Sequence, residues 1–226
     1  SSPGTHRFMW NLRWGNSGEP SPDEESEFRN PSGPRVVPGD YTVRLTVDGK
    51  PPQTQQLKVV IDPRSPATPE ILQRQSELGQ QIFGETLEAR RALAEISSVQ
   101  KQLVDVEQKL AEQNQTLKSA VANVRSGIAG ILSNKDNKQH QPAGLQDGYS
   151  EMVSALRVVE GGDRAVPAQA IAVYEESSQS VKIGIAKWTK FKETNLSQLN
   201  QQLREGNLPP IAISEIEQEV EFLMSR

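Results

Sequence analysis

The chain has 226 residues, a formal net charge of -4 and 35% hydrophobic residues, so it has room for one or two domains with a buried core. This charge balance excludes a basic surface large enough to suggest nucleic-acid binding, and no apolar run reaches the roughly 18 to 20 residues that cross a membrane. The absence of cysteine excludes disulfides, thiolate nucleophiles and zinc–thiolate sites.

Alternating apolar and polar residues predict three β-strands in the first part of the chain, near 5–14, 40–48 and 54–62. The second and third strands are joined by a short turn at Gly49, so we expect them to form an antiparallel hairpin. Three strands leave one apolar sheet face with little to cover it, whereas a sandwich needs a second sheet. We therefore predict that 1–63 form an incomplete antiparallel β-domain, whose apolar face is covered by strands further upstream, by the helices or by another copy of the chain.

A Pro-rich linker, 64–68, is followed by a single long amphipathic helix, predicted over 69–112. Thr68 is a suitable N-cap, and Pro69 fits the first helical position because its missing N–H would have no partner there. Such a helix would be about 65 Å long, so partners of similar length must lie beside it. Its apolar stripe consists of Ile82, Ala89, Ile96, Leu103 and Leu110 at seven-residue intervals, with Leu78, Leu93, Val99 and Val106 between them.

Two further apolar stripes predict partners for this helix within the same chain. One covers 115–133 together with 145–160, interrupted by a polar loop, and the other covers 167–204. A short terminal helix is predicted near 214–225. Helical segments of similar length that are joined by short turns pack side by side in alternating directions, up, down and up. We therefore predict an α+β fold, mostly α, in which 69–226 form an elongated antiparallel three-helix bundle; a homodimeric coiled coil through the first helix is the alternative.

The stripe of the last long helix, 167–204, contains one ambiguity. It begins at Ile171 and includes Trp188, which we assign to the bundle core. Beyond Trp188 either Asn195 or Leu196 continues the stripe, because both fit a helical spacing. The sequence alone leaves these two alternatives open.

Two segments resemble a known protein family. Segments 4–14 and 38–50 read GTHRFMWNLRW and PGDYTVRLTVDGK, and they are similar to motifs near the C-terminus of exported bacterial proteins with BNR-repeat, sortilin-like or glycosyl-hydrolase-like β-propellers. In that family an Ig-like sandwich is followed by an Asp-Pro-Arg sequence, here at 62–64, and by a helical tail. The resemblance therefore implies that 1–63 are an incomplete Ig-like β-sandwich. The resemblance implies export to the periplasm, the cell surface or the medium, and it implies an upstream β-propeller as the partner of this chain.

The residues predict no catalytic, cofactor or metal site. Glycoside hydrolysis needs two rigidly held carboxylates, and Glu24, Glu25 and Glu27 lie in a loop without a wall to hold them. The two histidines, His6 and His140, have no spacing that indicates a metal site. By the resemblance, any glycosidase chemistry would lie in the upstream propeller. We therefore predict that this chain is not an enzyme but a non-catalytic C-terminal scaffold and interaction region.

Trp10, Trp14 and Tyr41 are the candidate contact residues for a glycan or a protein partner. If exposed, they would form the aromatic platform of a carbohydrate-binding module, and if buried, they would belong to the core of the Ig-like domain. Their alternation with the apolar residues Phe8 and Leu12 favours the core. The carbohydrate-binding module remains the alternative function from a different class.

Overall fold

The structure is a computed structural model that describes residues 4–5, 7, 9–14, 33–47, 49–110, 114–133 and 142–213. It is mostly helical, with a two-stranded antiparallel sheet that precedes the helices. The predicted fold class, α+β and mostly α, is therefore confirmed. The predicted terminal helix near 214–225 lies outside the described residues.

The predicted hairpin is present. Strands β1 (Gly39–Leu45) and β2 (Gln53–Val59) pair antiparallel, with the first residue of β1 opposite the last residue of β2. Gly49 lies in the connection with φ 75°, a left-handed conformation that favours glycine. Both strands end three residues before their predicted limits, near 48 and 62.

The first predicted strand, near 5–14, is wrong for the residues that the structure describes. Residues 9–14 form one isolated antiparallel bridge, between Arg13 and Arg35, flanked by two backbone hydrogen bonds of 2.9 Å. Leu12 has φ 59°, which is incompatible with extended backbone and interrupts the period-two alternation of side chains. The sequence pattern carries no signal for this left-handed residue.

Helix α1 (Pro69–Lys109) is the 41-residue spine of the fold and is about 60 Å long. Its start confirms the prediction, since Thr68 is the N-cap and its Oγ1 accepts a hydrogen bond from the N–H of Ile71 at 3.4 Å. Pro69 occupies the first helical position, as expected. Leu110 is the C-cap, close to the predicted end of the helix.

The remaining helices cover α1 along its length. Helices α2 (Gln115–Leu132) and α3 (Leu145–Val159) run back along it in succession, and α4 (Ala168–Phe191) and α5 (Ser197–Glu205) run parallel to it. This is the predicted up, down and up arrangement. The first two predicted stripes are buried, except that Leu78 and Leu93 are only partly buried. The buried members are Ile82, Ala89, Ile96, Val99, Leu103, Val106 and Leu110 on α1; Leu117, Val121, Val124, Ile128 and Ile131 on α2; Leu145, Tyr149, Met152, Leu156 and Val159 on α3.

A π-helical turn, Lys192–Leu196, joins α4 to α5 and resolves the ambiguity in the last stripe. Leu196 is buried and Asn195 is exposed. The wider π turn keeps the following apolar residues on the core side of the helix. The predicted start of this stripe at Ile171 is wrong, because Ala170 is buried there and Ile171 is 37% exposed.

Neighbouring residues on α1 provide a test of this packing. Leu103 is fully buried, whereas Val104 is 41% exposed. We expect Leu103→Ala to lower the free energy of unfolding by about 2–5 kcal/mol, because it leaves a cavity, and Val104→Ala to change it by less than about 0.5 kcal/mol. Urea unfolding followed by circular dichroism measures both values, and equal or reversed effects would show that α1 buries a different face.

Candidate functional site

The structure brings the three predicted contact residues together. The ring of Tyr41 meets Trp10 and Trp14 edge to face, with centroid distances of 5.4 and 6.3 Å and interplanar angles of 64° and 61°. The Tyr41 hydroxyl donates a hydrogen bond to the carbonyl of Val37 at 2.6 Å, and the Trp10 indole N–H donates to the carbonyl of Arg13 at 3.0 Å. Burial raises the pKa of Tyr41.

Aliphatic side chains extend this aromatic group along one face of the hairpin. The strand register places Val43 and Leu45 on the same face as Tyr41, with Leu57 opposite Tyr41 on β2. Val43, Leu45 and Leu57 are 48%, 58% and 40% exposed. We define the hairpin surface as the set Trp10, Trp14, Tyr41, Val43, Leu45 and Leu57.

The expectation that the aromatic residues form a sandwich core is wrong for this arrangement. Trp14 is 46% exposed and Leu12 43% exposed, while Trp10 and Tyr41 are half-buried. The reason is that, in the part of the chain that the structure describes, the sheet has only the two strands of the hairpin and no second sheet packs on it. By contrast, Trp188 is buried in the bundle as predicted.

A carboxylate at the end of α3 fastens the N-terminal segments to the bundle. Glu160 accepts hydrogen bonds from the guanidinium of Arg13 and from the backbone N–H of Arg35, the latter at 2.8 Å. The side chains of Arg13 and Glu160 are both largely buried, which strengthens a charge-assisted pair. Gln75 on α1 donates to the carbonyls of Val159 and Gly162 in the same turn. The two Glu160 contacts hold the segments that precede the hairpin against one end of the helical bundle.

An open cleft of about 360 Å³ lies between the end of β2, the start of α1 and the α3–α4 turn. Its lining combines aliphatic side chains such as Leu72 with Arg35, Asp62 and Asp163. Asp62 is already paired with Arg64 at 2.7 Å. Charges of both signs do not select one class of ligand, and we assign the cleft no function.

A polar network around Glu85 joins α1 to α4. Glu85 accepts hydrogen bonds from Ser178 at 2.6 Å and from Tyr174 and Lys182 at 3.0 Å each. Burial acts to raise the pKa of Glu85, but the hydrogen bonds from Ser178, Lys182 and Tyr174 outweigh it and hold the pKa below its usual value. Burial and the hydrogen bond to Glu85 raise the pKa of Tyr174 to about 12.

Lys182 Nζ lies 3.0 Å from Ser178 Oγ, so the two residues can be compared with a serine–lysine catalytic pair. Such a pair needs a lysine that accepts the hydroxyl proton. Here Lys182 forms an ion pair with Glu85, and the Ser178 hydroxyl donates to the same carboxylate. The arrangement therefore links two helices rather than activating a nucleophile.

A second network, around Glu95, lies further along the same pair of helices. Glu95 accepts hydrogen bonds from the Trp188 indole N–H at 2.8 Å and from Lys192 at 2.7 Å. The Lys192 ammonium also lies 5.7 Å from the centroid of the Trp188 ring, a cation–π contact. Trp188 thus combines a buried ring with a satisfied polar atom.

Neither network is predicted above, although the spacing of its charged residues is visible in the sequence. Glu85 and Glu95 are ten residues apart, and so are Lys182 and Lys192. Ten residues are about 2.8 helical turns, so the two members of each set lie on the same side of the helix, as residues three apart do. The equal spacing on two helices is a signal that α1 and α4 pair, and the contacts of Glu85 and Glu95 show that the pairing is parallel.

The described residues give no support for a metal site or a membrane span. Within residues 4–5, 7, 9–14, 33–47, 49–110, 114–133 and 142–213, no three histidine, aspartate or glutamate side chains group around a possible metal ion. No helix among them combines the length and hydropathy needed to cross a membrane. The candidate residues His6 and His140, and the acidic residues Glu24, Glu25 and Glu27, lie outside the described part of the chain.

No protein-family model, curated protein or solved structure matches this chain. The resemblance to β-propeller proteins therefore depends on the sequence motifs at 4–14, 38–50 and 62–64. It stays a prediction, together with the export and the upstream partner that it implies.

The Glu85 network makes a prediction about pH. Because the pKa of Glu85 in the folded chain lies below its ordinary value of 4.5, its stabilising contribution is present above that value and is lost as the pH falls through the folded-state pKa. We expect Glu85→Gln to lower the free energy of unfolding by about 1–3 kcal/mol at pH 7, with a smaller difference from the wild type below pH 4.5. Urea unfolding over this pH range measures the effect.

Glu88→Gln is the matched control, since Glu88 is exposed on the same helix. It should leave stability nearly unchanged at every pH. A difference between wild type and Glu85→Gln that stays constant from pH 7 to acid would contradict the assigned role of the carboxylate.

Proposed function

We propose that this chain is a non-catalytic scaffold and interaction region that presents the hairpin surface to a protein partner. The observation that carries the proposal is the exposure of a joined aromatic and aliphatic surface on a hairpin whose preceding segment is tied to the bundle by the Arg13–Glu160 ion pair. Soluble proteins rarely leave such a contiguous apolar surface uncovered, and where they do it commonly marks an interaction site. The bundle behind it acts as a long rigid support.

The two faces of the hairpin differ in polarity, so only one of them favours contact with a partner. The face opposite the hairpin surface is polar throughout. It carries Asp40, Thr42, Arg44, Thr54, Gln56 and Lys58. The hairpin surface is apolar apart from the neighbouring Gln53 and Gln55. A two-stranded sheet with one largely apolar face is marginal in water and gains stability when another layer packs on that face. A second β-layer is therefore the partner that this surface fits.

The resemblance supplies a candidate for that layer. In the family with similar motifs the corresponding region follows a β-propeller in an exported bacterial protein. On this proposal the hairpin surface packs against that upstream part of the same polypeptide, and the helical bundle supports it or links it to other molecules. Any glycosidase chemistry would belong to the propeller and not to this chain.

Glutamate substitutions test the docking face. Val43→Glu and Leu45→Glu place a charge in the proposed interface, so we expect each to weaken binding of this chain to the upstream β-propeller region at least about tenfold, because burying an unpaired charge is costly. Thr54→Glu lies on the opposite face and should leave binding unchanged. Isothermal titration calorimetry of the two separately produced regions measures the affinities.

All three substituted positions are exposed in this chain, so its own stability should change little in each variant. The proposal is contradicted if the two regions do not bind, or if the Thr54 variant weakens binding as much as the variants on the apolar face. Circular dichroism of each variant confirms that a loss of binding does not reflect unfolding.

Carbohydrate binding is a second candidate, favoured by the exposed ring of Trp14. Gln53 and Gln55 lie on the same face of the hairpin, where their amides could bind sugar hydroxyls next to a stacked ring. If this function is correct, tryptophan fluorescence should shift when oligosaccharides are added, and Trp14→Ala should remove the shift. An unchanged spectrum over a broad set of glycans would rule against it.

The packing of α1 argues against the alternative of a homodimer through the first helix. The stripe of α1 that such a dimer would use is buried against α2, α3 and α4 of the same chain. The hairpin surface is consequently the better candidate for contact with another protein.

A further inference from the structure

An extended segment, 208–213, lies in a groove between α1 and α5 after the chain turns back. The N–H of Ile211 donates to Asn200 Oδ1 at 2.8 Å, and its carbonyl accepts from Asn200 Nδ2 at 3.0 Å. The N–H of Ala212 donates to Gln102 Oε1 at 2.8 Å, and its carbonyl accepts from Gln102 Nε2 at 2.6 Å. Two side-chain amides therefore pair with two consecutive residues of the backbone.

This pairing follows the geometry of a β-strand. Consecutive residues in an extended chain direct their backbone polar groups to opposite sides, so Asn200 on α5 binds Ile211 and Gln102 on α1 binds Ala212. Side chains alternate in the same way. Ile211 is buried and Ile213 packs against the core, whereas Ala212 is exposed. The groove thus binds the backbone through amides and the alternate side chains through apolar contact, as in strand-type peptide recognition.

Neighbouring groups restrict the conformation of both the groove and the segment that lies in it. Gln102 Nε2 is also within 3.3 Å of Ser98 Oγ, one turn earlier on α1, which orients the amide. Two prolines, at 209 and 210, restrict the preceding backbone to an extended conformation. A preformed site and a stiff ligand both reduce the entropy lost on binding.

The chain enters the groove through a defined helix end. Asn207 adopts φ 55°, and the N–H of Leu208 donates to the carbonyl of Leu203 at 2.8 Å. Together with the hydrogen bond from the Asn207 N–H to Arg204 at 3.0 Å, this is a Schellman-type ending of α5. It directs the chain back toward α1, so the segment is delivered to the groove at a high effective concentration.

We propose that the groove between α1 and α5, which we name the tail groove, is a peptide-binding site occupied here by the chain's own segment 208–213. Its ligand in trans is an extended peptide of the same pattern, two prolines followed by aliphatic, small and aliphatic residues. The chain's own segment blocks the groove until it is displaced. This proposal is independent of the hairpin surface.

The test empties the groove in the full-length chain and adds a labelled peptide with the sequence of residues 208–213. Ile211→Asp places an unpaired carboxylate at a buried apolar position, so the segment should leave the groove. Fluorescence anisotropy should then show binding of one peptide per chain, at least about tenfold tighter than to the wild type, in which the groove is filled.

The amide contacts supply the specific control. Adding Asn200→Ala and Gln102→Ala to the Ile211→Asp chain should weaken peptide binding at least about tenfold, since four hydrogen bonds are lost. Gln201→Ala is the matched control, because the Gln201 amide bonds only to exposed Glu205 on its own helix. It should leave peptide binding unchanged.

Ala212→Pro is a second opening variant for the case that Ile211→Asp does not fold. It deletes the N–H that Gln102 accepts without placing a charge near the core. The proposal is overturned if a folded opening variant does not bind the peptide, or binds it equally well without Asn200 and Gln102. It is also overturned if a labelled wild-type chain, and not the free peptide, fills the groove, since the ligand would then be a second copy.

Discussion

The apolar stripe of α1 must be covered over about 60 Å, and the rest of the helical region depends on this constraint. A helix of ordinary length covers only part of it, so α2 and α3 divide one side between them. The α4–α5 arm covers another side, and its π turn, Lys192–Leu196, keeps the apolar residues directed at the core. The Glu85 and Glu95 networks then fix where along α1 that arm lies, because each requires its donors at a matching height.

The hairpin differs from the bundle in how much of its apolar surface is buried within the chain. Each helix buries its apolar stripe within the chain, whereas the hairpin leaves Val43, Leu45 and Leu57 exposed next to an aromatic group that is half-covered. Glu160 holds the adjoining segments through Arg13 and the backbone of Arg35. A surface that is exposed and yet firmly placed suits recognition of a partner, since little order has to be gained on binding.

Local patterns predicted most of the fold. The seven-residue stripe, the cap at Thr68 and the alternation in β1 and β2 are determined by neighbouring residues, and the structure has them. The left-handed Leu12 was not predictable, because no local signal marks it. The choice of Leu196 over Asn195 depends on what the arm packs against, which a single helical period does not contain.

The candidate sites were predictable only in part, because they depend on contacts between residues far apart in the sequence. Trp10, Trp14 and Tyr41 were selected correctly as a group, but their exposure depends on whether a second sheet covers them. The Glu85 network joins residues 93 positions apart, and Gln102 binds Ala212 at a separation of 110. Such contacts follow from the packing of whole helices, so they become visible once the arrangement of α1, α4 and α5 is known.

We propose that the helices bury one another's apolar stripes while the hairpin surface binds a partner. Site-specific photo-crosslinking within the producing cells tests it most directly, with a benzophenone amino acid in place of Leu45 or, on the opposite face, Thr54. We expect a specific protein adduct, or a specific crosslink within a longer polypeptide, from position 45 and none from position 54. Equal crosslinking from both faces, or none from position 45, would contradict it.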